Sequence, residues 1–264
     1  MRAVRVRGLG GRVGSHAGLG ALGELLEDAE VVHVHNVMNP VALQAACATG
    51  RCVVTVQDHR VFCPGPGKTL PDGGPCQQRM SAEACAGCFE DPVYAQTTLT
   101  LTEQRLQALR GAAAVLVLSR YMQQELATVG VESTVIPPWV EVCDEEHERE
   151  GVLIGGRLVR HKAPLEAVAA WQESGTEQPL LVAGAGSLLA HLPGEHLGWL
   201  PREQLHGLLS RVRVLLFCAR WQEPFGILGL EALARGTPVI AWSRGGVPEW
   251  ARAGALLVDG PQQA

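Results

Sequence analysis

The sequence has no long apolar run. No segment of the 264 residues approaches the roughly 20 apolar residues that a membrane-spanning helix needs. The N-terminus carries arginines but no continuous apolar segment behind them, so a secretory signal peptide is not expected. A net charge of −5 at pH 7 and a pI near 6.0 argue against a general nucleic-acid-binding protein, which would show a basic face. We therefore expect a cytoplasmic protein whose eight cysteines form no stable disulfides.

The N-terminus also lacks acidic residues before Glu24, whereas Arg2, Arg5, Arg7 and Arg12 precede it. Such a segment could contact an anionic membrane surface, which would place the protein at the inner face of the membrane. The alternative is the solvated face of a strand, because the arginines alternate with valines in AVRVR. Peripheral membrane contact therefore stays open.

Short apolar runs alternate with helix-like segments along the chain. The runs are rich in Val, Leu and Ile with little period-two alternation, which is typical of strands buried on both faces of a parallel sheet. The predicted strands are AVRVRGL, VVHVH, CVVTV, AAVLVLS and STVIPP in the first half and GVLIGG, PLLVAGAG, VRVLLFCA, TPVIAW and ALLVD in the second. The predicted helices span 19–27, 103–110, 123–129, 164–172, 203–211 and 226–235. This alternation predicts two α/β units with right-handed crossovers.

A change in composition marks the border between the two units. Residues 140–151, VEVCDEEHEREG, contain six acidic residues and little apolar content, which predicts a solvated linker. We place the border near Cys143, which gives an N-terminal domain at 1–142 and a C-terminal domain at 143–264.

The stretch EPFGILGLEALARGTPVI places two carboxylates, Glu223 and Glu231, around the start of a helix. Pro224 suits the first helical position, and the N–H groups that follow it would be free to bind phosphate. At about 1.5 Å per residue, Glu231 lies roughly 7–8 Å beyond Gly226, comparable to a diphosphate. Carboxylates so placed could accept hydrogen bonds from hydroxyls on both sides of a diphosphate, which is the layout of a nucleotide sugar. The alternative is a glutamate-rich first turn with Glu231 solvated.

Two segments of the second half resemble a known enzyme family. EPFGILGLEALARGTPVIAWSRGGVPEW at 223–250 and LIGGRLVRHKAP at 153–164 are similar to the retaining glycosyltransferases of family 4, also called glycosyl transferases group 1. The similarity covers nearly all of 151–260. It is looser over 31–140, in VVHVHN, VVTVQDHRVFCP and VLVLS. It implies an α/β protein of the GT-B fold, in which two Rossmann-like parallel-sheet domains face a cleft.

The resemblance implies a nucleoside-diphosphate sugar as donor substrate, a hydroxyl acceptor and no divalent metal in the chemistry. Glu223 would hold the hydroxyls of the donor sugar, and Glu231 those of the ribose. Arg157 and Lys162 would neutralise the diphosphate, and a departing nucleoside diphosphate needs such cationic stabilisation. The backbone groups facing the sugar and phosphates would be those of Phe225, Gly226, Ile227 and Leu228.

The first half departs from the family pattern. Where the family usually has His-Asp at a strand end, this chain has Gln57 and Asp58, followed by His59. Gln57 can form hydrogen bonds but carries no charge, so Asp58 and His59 are the catalytic candidates there. The first domain is abbreviated, and Gly10 and Gly11 are candidates for the glycine loop that faces the donor phosphates.

The family's terminal helices have no counterpart after Ala264. Their absence should expose apolar surface, which a partner or a second copy could cover. The prediction is a retaining glycosyltransferase that acts on a glycan, a lipid-linked acceptor or a small molecule. The alternative is a non-catalytic nucleotide- or sugar-binding relative of the same fold.

Half of the cysteines fall within residues 63–88, with the spacing C-x12-C-x8-C-x2-C. The C-x2-C end is a good chelate, and a segment rich in Gly and Pro needs something other than an apolar core to order it. We predict a structural zinc ion here, with an iron–sulfur cluster or free thiols as alternatives. A zinc-organised interaction module would be a third function. The predicted ligands are Cys63, Cys76, Cys85 and Cys88.

Overall fold

The computed structural model describes residues 18–36, 39–143 and 147–259. The backbone forms two compact units, Met1–Pro71 with Pro75–Pro137 and Asp72–Gly74 with Pro138–Ala264. The two units therefore divide mainly between Pro137 and Pro138, a few residues before the border near Cys143 that was predicted from composition. Gly10, Gly11 and the four N-terminal arginines lie outside the described residues.

The N-terminal unit is built on a parallel sheet of four strands in the order β1-β2-β3-β4. The strands are β1 Val32–His35, β2 Cys52–Val56, β3 Ala114–Val117 and β4 Thr134–Val135. The helices are α1 Leu19–Glu27, α2 Pro40–Cys47, α3 Ala82–Cys85, α4 Pro92–Leu109 and α5 Arg120–Thr128. Buried valines of the strands meet leucines and a methionine of the helices in one core, which contains Leu43, Val54, Val56, Leu109, Val117, Met122 and Leu126.

The C-terminal unit is built on a parallel sheet of six strands in the order β10-β9-β8-β5-β6-β7. The strands are β5 Val152–Arg157, β6 Leu180–Ala185, β7 Glu195–Gly198, β8 Val214–Phe217, β9 Val239–Trp242 and β10 Ala255–Val258. The helices are α6 Pro164–Glu173, α7 Arg202–Leu209, α8 Ile227–Leu233 and α9 Val247–Trp250. The strand order reverses between β5 and β8, and open parallel sheets bind ligands beyond the carboxyl ends of the strands at such a point.

The predicted linker is only partly solvated. Arg149 donates hydrogen bonds to the carbonyl oxygen of Arg235 at 2.7 Å and to that of Val212 at 3.3 Å. The backbone N–H of Cys143 donates to the carbonyl of Ala234 at 2.9 Å. The described part of the segment is thus held against its own unit, because a guanidinium can bind several carbonyls that a composition argument does not foresee.

No helix among the described residues is long and apolar enough to cross a membrane.

Candidate functional site

The candidate site lies where the order of the C-terminal sheet reverses. Strand β5 ends at Arg157 and leads into a short 3₁₀ helix, Arg160–Lys162. Strand β8, which pairs with β5, leads into the loop that carries Glu223. Carboxyl ends of neighbouring parallel strands share one edge of the sheet, so the topology brings together residues that are far apart in sequence.

Lys162 and Glu223 form an ion pair between the Nζ atom and Oε1. Glu223 is only 4% exposed, so its carboxylate depends on this cation for compensation of its lost hydration. Burial lowers the pKa of Lys162, while the charge of Glu223 and its hydrogen bond oppose that shift. The carboxylate predicted to bind the sugar and one of the cations predicted to bind the diphosphate are therefore direct partners.

Trp221 covers both predicted cations. The Nζ atom of Lys162 lies 4.6 Å from the centroid of the indole ring, and the Cζ atom of Arg157 lies 5.7 Å from it. His161 adds a ring contact to the same indole, with centroids 5.1 Å apart. An aromatic face attracts cations, so Trp221 holds two like charges near each other. Trp221 was not among the predicted site residues, although its place two positions before Glu223 was a signal.

Two glycines after β9 fix the loop that carries Glu223. The N–H of Gly246 donates to the carbonyl of Glu223 at 2.7 Å, and the N–H of Gly245 donates to Oε1 of Gln222 at 3.1 Å. A Cβ atom at Gly245 would lie 2.2 Å from the carbonyl oxygen of Glu223. The close approach of these two backbone segments requires a glycine there.

Helix α8 begins later than predicted. It starts at Ile227, after Gly226 with φ 90°, so the interpretation of Pro224 as the first helical residue is wrong. A left-handed residue cannot continue a helix from Pro224, and Gly226 favours that conformation. Within the helix, the N–H of Gly229 donates to the carbonyl of Gly226 at 3.1 Å. The N–H groups of Ile227 and Leu228 come before it in the first turn, where a helix provides no backbone acceptor for them.

The other predicted backbone group, Phe225, lies against the interior. Its side chain is buried and its carbonyl accepts a hydrogen bond from Nε1 of Trp250. A Cβ atom at Gly226 would lie 3.0 Å from the ring of Phe217. The absence of a side chain at Gly226 therefore also lets this ring pack closely against the backbone.

Glu231 is buried within its helix, not solvated as the alternative interpretation held. It is 8% exposed, and its Oε1 atom lies 3.1 Å from Nε2 of His206 and 3.5 Å from Nη2 of Arg202. His206 in turn lies 2.6 Å from Nη2 of Arg235 through its Nδ1 atom. No local motif linked His206 to Glu231, because α7 and α8 are separate helices.

Asp58 follows β2 in the N-terminal unit and has partners of its own. It accepts hydrogen bonds from Nδ2 of Asn36 at 2.9 Å, from Nε of Arg60 at 2.7 Å and from the backbone N–H of Arg60 at 3.0 Å. Burial raises the pKa of the Asp58 carboxyl, but these hydrogen bonds outweigh burial, and the pKa is lowered. Asp58 is thus an ionised carboxylate beside a cation at the carboxyl edge of the first sheet.

The predicted catalytic role of His59 gains no support from its position. The side chain is 1% exposed, and its Nε2 atom lies 3.0 Å from the hydroxyl oxygen of Tyr121. Burial lowers the pKa of His59 to about 4, with Asp58 opposing the shift and Lys68 adding to it. A neutral, enclosed imidazole is suited to holding the loop after β2 and not to contacting a ligand.

The cysteine loop brings its four thiols into one neighbourhood. A Cβ atom at Gly65 would lie 3.5 Å from Sγ of Cys88 and 3.9 Å from Sγ of Cys63. Burial is the main cause that raises the pKa of Cys63; backbone hydrogen bonds with Lys68 and Gly65 oppose the shift, and the charges of Cys76 and Cys85 add to it. Within the described ranges, however, no group of three or more His, Cys, Asp or Glu side chains is arranged to hold a metal ion. The structure therefore gives no support for zinc, which stays a prediction.

Comparison with known proteins identifies the C-terminal unit. Residues 139–264 match the family model of glycosyl transferases group 1. This match covers slightly less than half of the chain and makes residues 139–264 similar to that glycosyltransferase family. A search of the curated proteins found no match to the chain.

Solved structures show the same fold at low sequence identity. HepE from Anabaena, in complex with UDP-glucose, has a TM-score of 0.63 at 17% identity over 92% of this chain and 69% of that chain. TarM from S. aureus, in complex with Fondaparinux, alpha-GlcNAc-glycerol and UDP, has a TM-score of 0.65 at 12% identity over 92% and 49% of the two chains. Sucrose-phosphate synthase from Thermosynechococcus elongatus has a TM-score of 0.59 at 18% identity over 92% and 66%. The predicted GT-B glycosyltransferase fold is confirmed, and the chain spans about half to two thirds of the length of these three proteins.

Proposed function

We propose that the protein transfers a sugar from a nucleoside-diphosphate sugar to a hydroxyl acceptor with retention of anomeric configuration. The observation that carries this proposal is the ion pair between Lys162 and the buried carboxylate of Glu223, beside Arg157 and beyond the carboxyl ends of β5 and β8. A carboxylate that can accept hydrogen bonds from sugar hydroxyls stands here next to two cations that can bind a diphosphate.

Different residues of the site have different roles in the transfer. The bond between the anomeric carbon and the diphosphate oxygen breaks, and the acceptor oxygen bonds to that carbon on the same face. The proton of the acceptor hydroxyl passes to the departing diphosphate. Arg157 and Lys162 stabilise the negative charge that develops on the leaving group, while Glu223 holds the sugar through its hydroxyls. HepE from Anabaena is known in complex with UDP and glucose and with UDP-glucose, which supports a donor of this class.

Glu231 is proposed to hold the ribose. Its carboxylate lies in the second turn of α8 and is buried, so a hydrogen bond from a ribose hydroxyl to this anion would be poorly screened by water. The first-turn N–H groups of Ile227 and Leu228 lie between Glu223 and Glu231 in the chain, where the diphosphate is expected.

A non-transferring relative of the same fold is the second candidate. The enclosure of His59 against Tyr121 favours it, because this histidine then has little surface with which to contact a ligand. Arg60, paired with Asp58, is a cation at this edge. We also propose a cytoplasmic location, which rests on composition alone.

The first experiment is a thermal-stability panel of the full chain with UDP, GDP, ADP and their glucose, N-acetylglucosamine and mannose derivatives. A ligand that binds the native state raises the unfolding midpoint by mass action. The expected result is one preferred nucleotide, with an affinity reduced by about 1–3 kcal/mol in Glu231→Ala through loss of charge-assisted hydrogen bonds. Glu223→Ala should lose the preference for the nucleotide sugar over the free diphosphate. Normal nucleotide affinity in Glu231→Ala would contradict the ribose assignment.

Transfer is tested next, with the preferred donor and a set of hydroxyl acceptors. Formation of a glycoside with the donor's anomeric configuration supports the retaining reaction. Donor binding without transfer would favour the second candidate.

A further inference from the structure

A partly buried histidine and a buried arginine lie behind the carboxylate of Glu231. His206 stands on α7, and Arg235 follows the end of α8. Nη2 of Arg235 lies 2.6 Å from Nδ1 of His206, and Nε2 of His206 lies 3.1 Å from Oε1 of Glu231. The second nitrogen of the guanidinium, Nη1, donates to the backbone carbonyl of Glu231 at 3.1 Å.

The chemistry of the two side chains fixes the direction of this chain of hydrogen bonds. A guanidinium has donors but no acceptor, so Nδ1 of His206 must accept from Arg235. In a neutral imidazole the other nitrogen then carries the proton, and Nε2–H donates to the carboxylate of Glu231. The tautomer of His206 is therefore set by Arg235, and the donor that it presents is aimed at Glu231.

One competing contact involves Arg202, whose Nε lies 3.4 Å from Nε2 of His206. That contact would require Nε2 to be the acceptor. It is longer than the contact of Arg235, and the side chain of Arg202 is 71% exposed, whereas Arg235 is 6% exposed. The shorter, buried contact dominates, because solvent weakens the exposed one.

His206 and Arg202 both approach the same carboxylate oxygen, Oε1. These contacts leave Oε2 to accept a hydrogen bond from a ligand. A carboxylate held through one oxygen has a fixed plane, so the second oxygen points in a defined direction.

We propose that His206, with Arg235 behind it, is a positioning residue that orients the carboxylate of Glu231 toward the ribose hydroxyls of the bound nucleotide. This inference rests on the proposed nucleotide site. It adds a residue that contacts no substrate and acts through Glu231.

The test compares two substitutions that each keep one half of the imidazole's hydrogen bonding. His206→Gln can place an amide N–H where Nε2–H stood and still donate to Glu231. His206→Asn can accept from Arg235, but its shorter side chain does not reach Glu231. Arg202→Ala is the matched control, because it removes an exposed contact to the same oxygen.

The probes are the nucleoside diphosphate that stabilises the wild-type chain most and its 2′-deoxy and 3′-deoxy analogues, measured by calorimetric titration. For the ribonucleotide, His206→Asn should weaken binding by about tenfold, the effect of one hydrogen bond to a charged group. His206→Gln should keep most of the affinity, and Arg202→Ala should change it less than twofold. With the analogue that lacks the hydroxyl bound by Glu231, wild type and His206→Asn should bind equally.

Two results would overturn the inference. Equal losses in the Asn and Gln variants, or the same loss for the deoxy analogue as for the ribonucleotide, would show a merely structural role. Glu231→Ala separates this failure from failure of the proposed function. If Glu231→Ala weakens binding while His206→Asn does not, only the positioning role is wrong. If Glu231→Ala has no effect, the ribose assignment itself is wrong.

Discussion

The ammonium group of Lys162 and the carboxylate of Glu223 neutralise each other within the C-terminal unit. They are 61 positions apart in the chain, and each was assigned to a different part of the donor from sequence. Because they are partners, a change at one alters the charge environment of the other.

Lys162→Met should destabilise the C-terminal unit more than removal of both charges does. The single change leaves the carboxylate of Glu223 buried without its cation, which we expect to cost about 2–3 kcal/mol. Lys162→Met combined with Glu223→Gln should recover part of that loss. Urea unfolding of the two single variants and the double variant measures the coupling, and a coupling energy of zero would contradict the pairing.

Trp221→Leu should weaken nucleotide binding by about threefold to tenfold, because the indole face no longer holds Arg157 and Lys162 together. Trp221→Phe keeps an aromatic face and should lose less. The matched control is Trp199→Leu, which removes an indole that is 68% exposed. Calorimetric titration with the preferred nucleoside diphosphate gives the comparison. An equal loss in the Leu and Phe variants would point to shape instead of cation attraction.

Gly245→Ala should displace the loop that carries Glu223. The new Cβ atom would meet the Glu223 carbonyl at 2.2 Å, and φ at this position is 56°. We expect a loss of about 2 kcal/mol or more in the free energy of unfolding, together with weaker binding of the donor sugar. Gly207→Ala is the control, because nothing lies within 4 Å of its Cβ position in α7. It should stabilise the protein by about 0.5–1 kcal/mol, and thermal unfolding compares the two. Similar midpoints would contradict the role of Gly245.

His59 should make the N-terminal unit sensitive to mild acid. Its folded-state pKa is about 4, against an ordinary value of 6.5, mainly because it is buried. At pH values above 6.5 the imidazole is neutral in both the folded and the unfolded protein. Between pH 6.5 and pH 4 the unfolded chain binds a proton that the folded chain does not. The free energy of unfolding therefore falls as the pH falls, by up to about 3 kcal/mol.

The measurement is the urea midpoint as a function of pH for wild type, His59→Gln and His161→Gln. Burial, Arg157 and Lys162 lower the pKa of His161 to about 4 as well, so it contributes in the same pH window but from the C-terminal unit. Each substitution should make the stability of the unit that contains it less dependent on pH. The carboxyl of Asp58, whose pKa is lowered on balance, loses its contribution only at more acidic pH. A wild-type slope retained in His59→Gln would contradict the assignment.

The sequence predicted most of the strands and fewer of the helices. Strands β2, β5, β6, β8 and β9 are continuous apolar runs, and burial on both faces of a parallel sheet leaves that pattern. Strand β7, with the sequence EHLG, has no such run and was missed. Helix α2, PVALQAAC, was missed because most of its side chains are apolar and it shows no polar face. Helix α4 begins at Pro92, earlier than predicted, because Asp91 caps it.

The sequence by itself determined the chemistry available to this protein. The identities and spacing of Glu223, Glu231, Arg157 and Lys162 follow from local segments, and so does the alternation of strands and helices that produces two parallel sheets. Only the tertiary structure decided which of these groups are partners. The links from Lys162 to Glu223 and from Arg235 through His206 to Glu231 join elements that the sheet order brings side by side. Burial also turned His59 from a catalytic candidate into an enclosed side chain, because desolvation depends on neighbours from every packed element and not on the residues beside it in the chain.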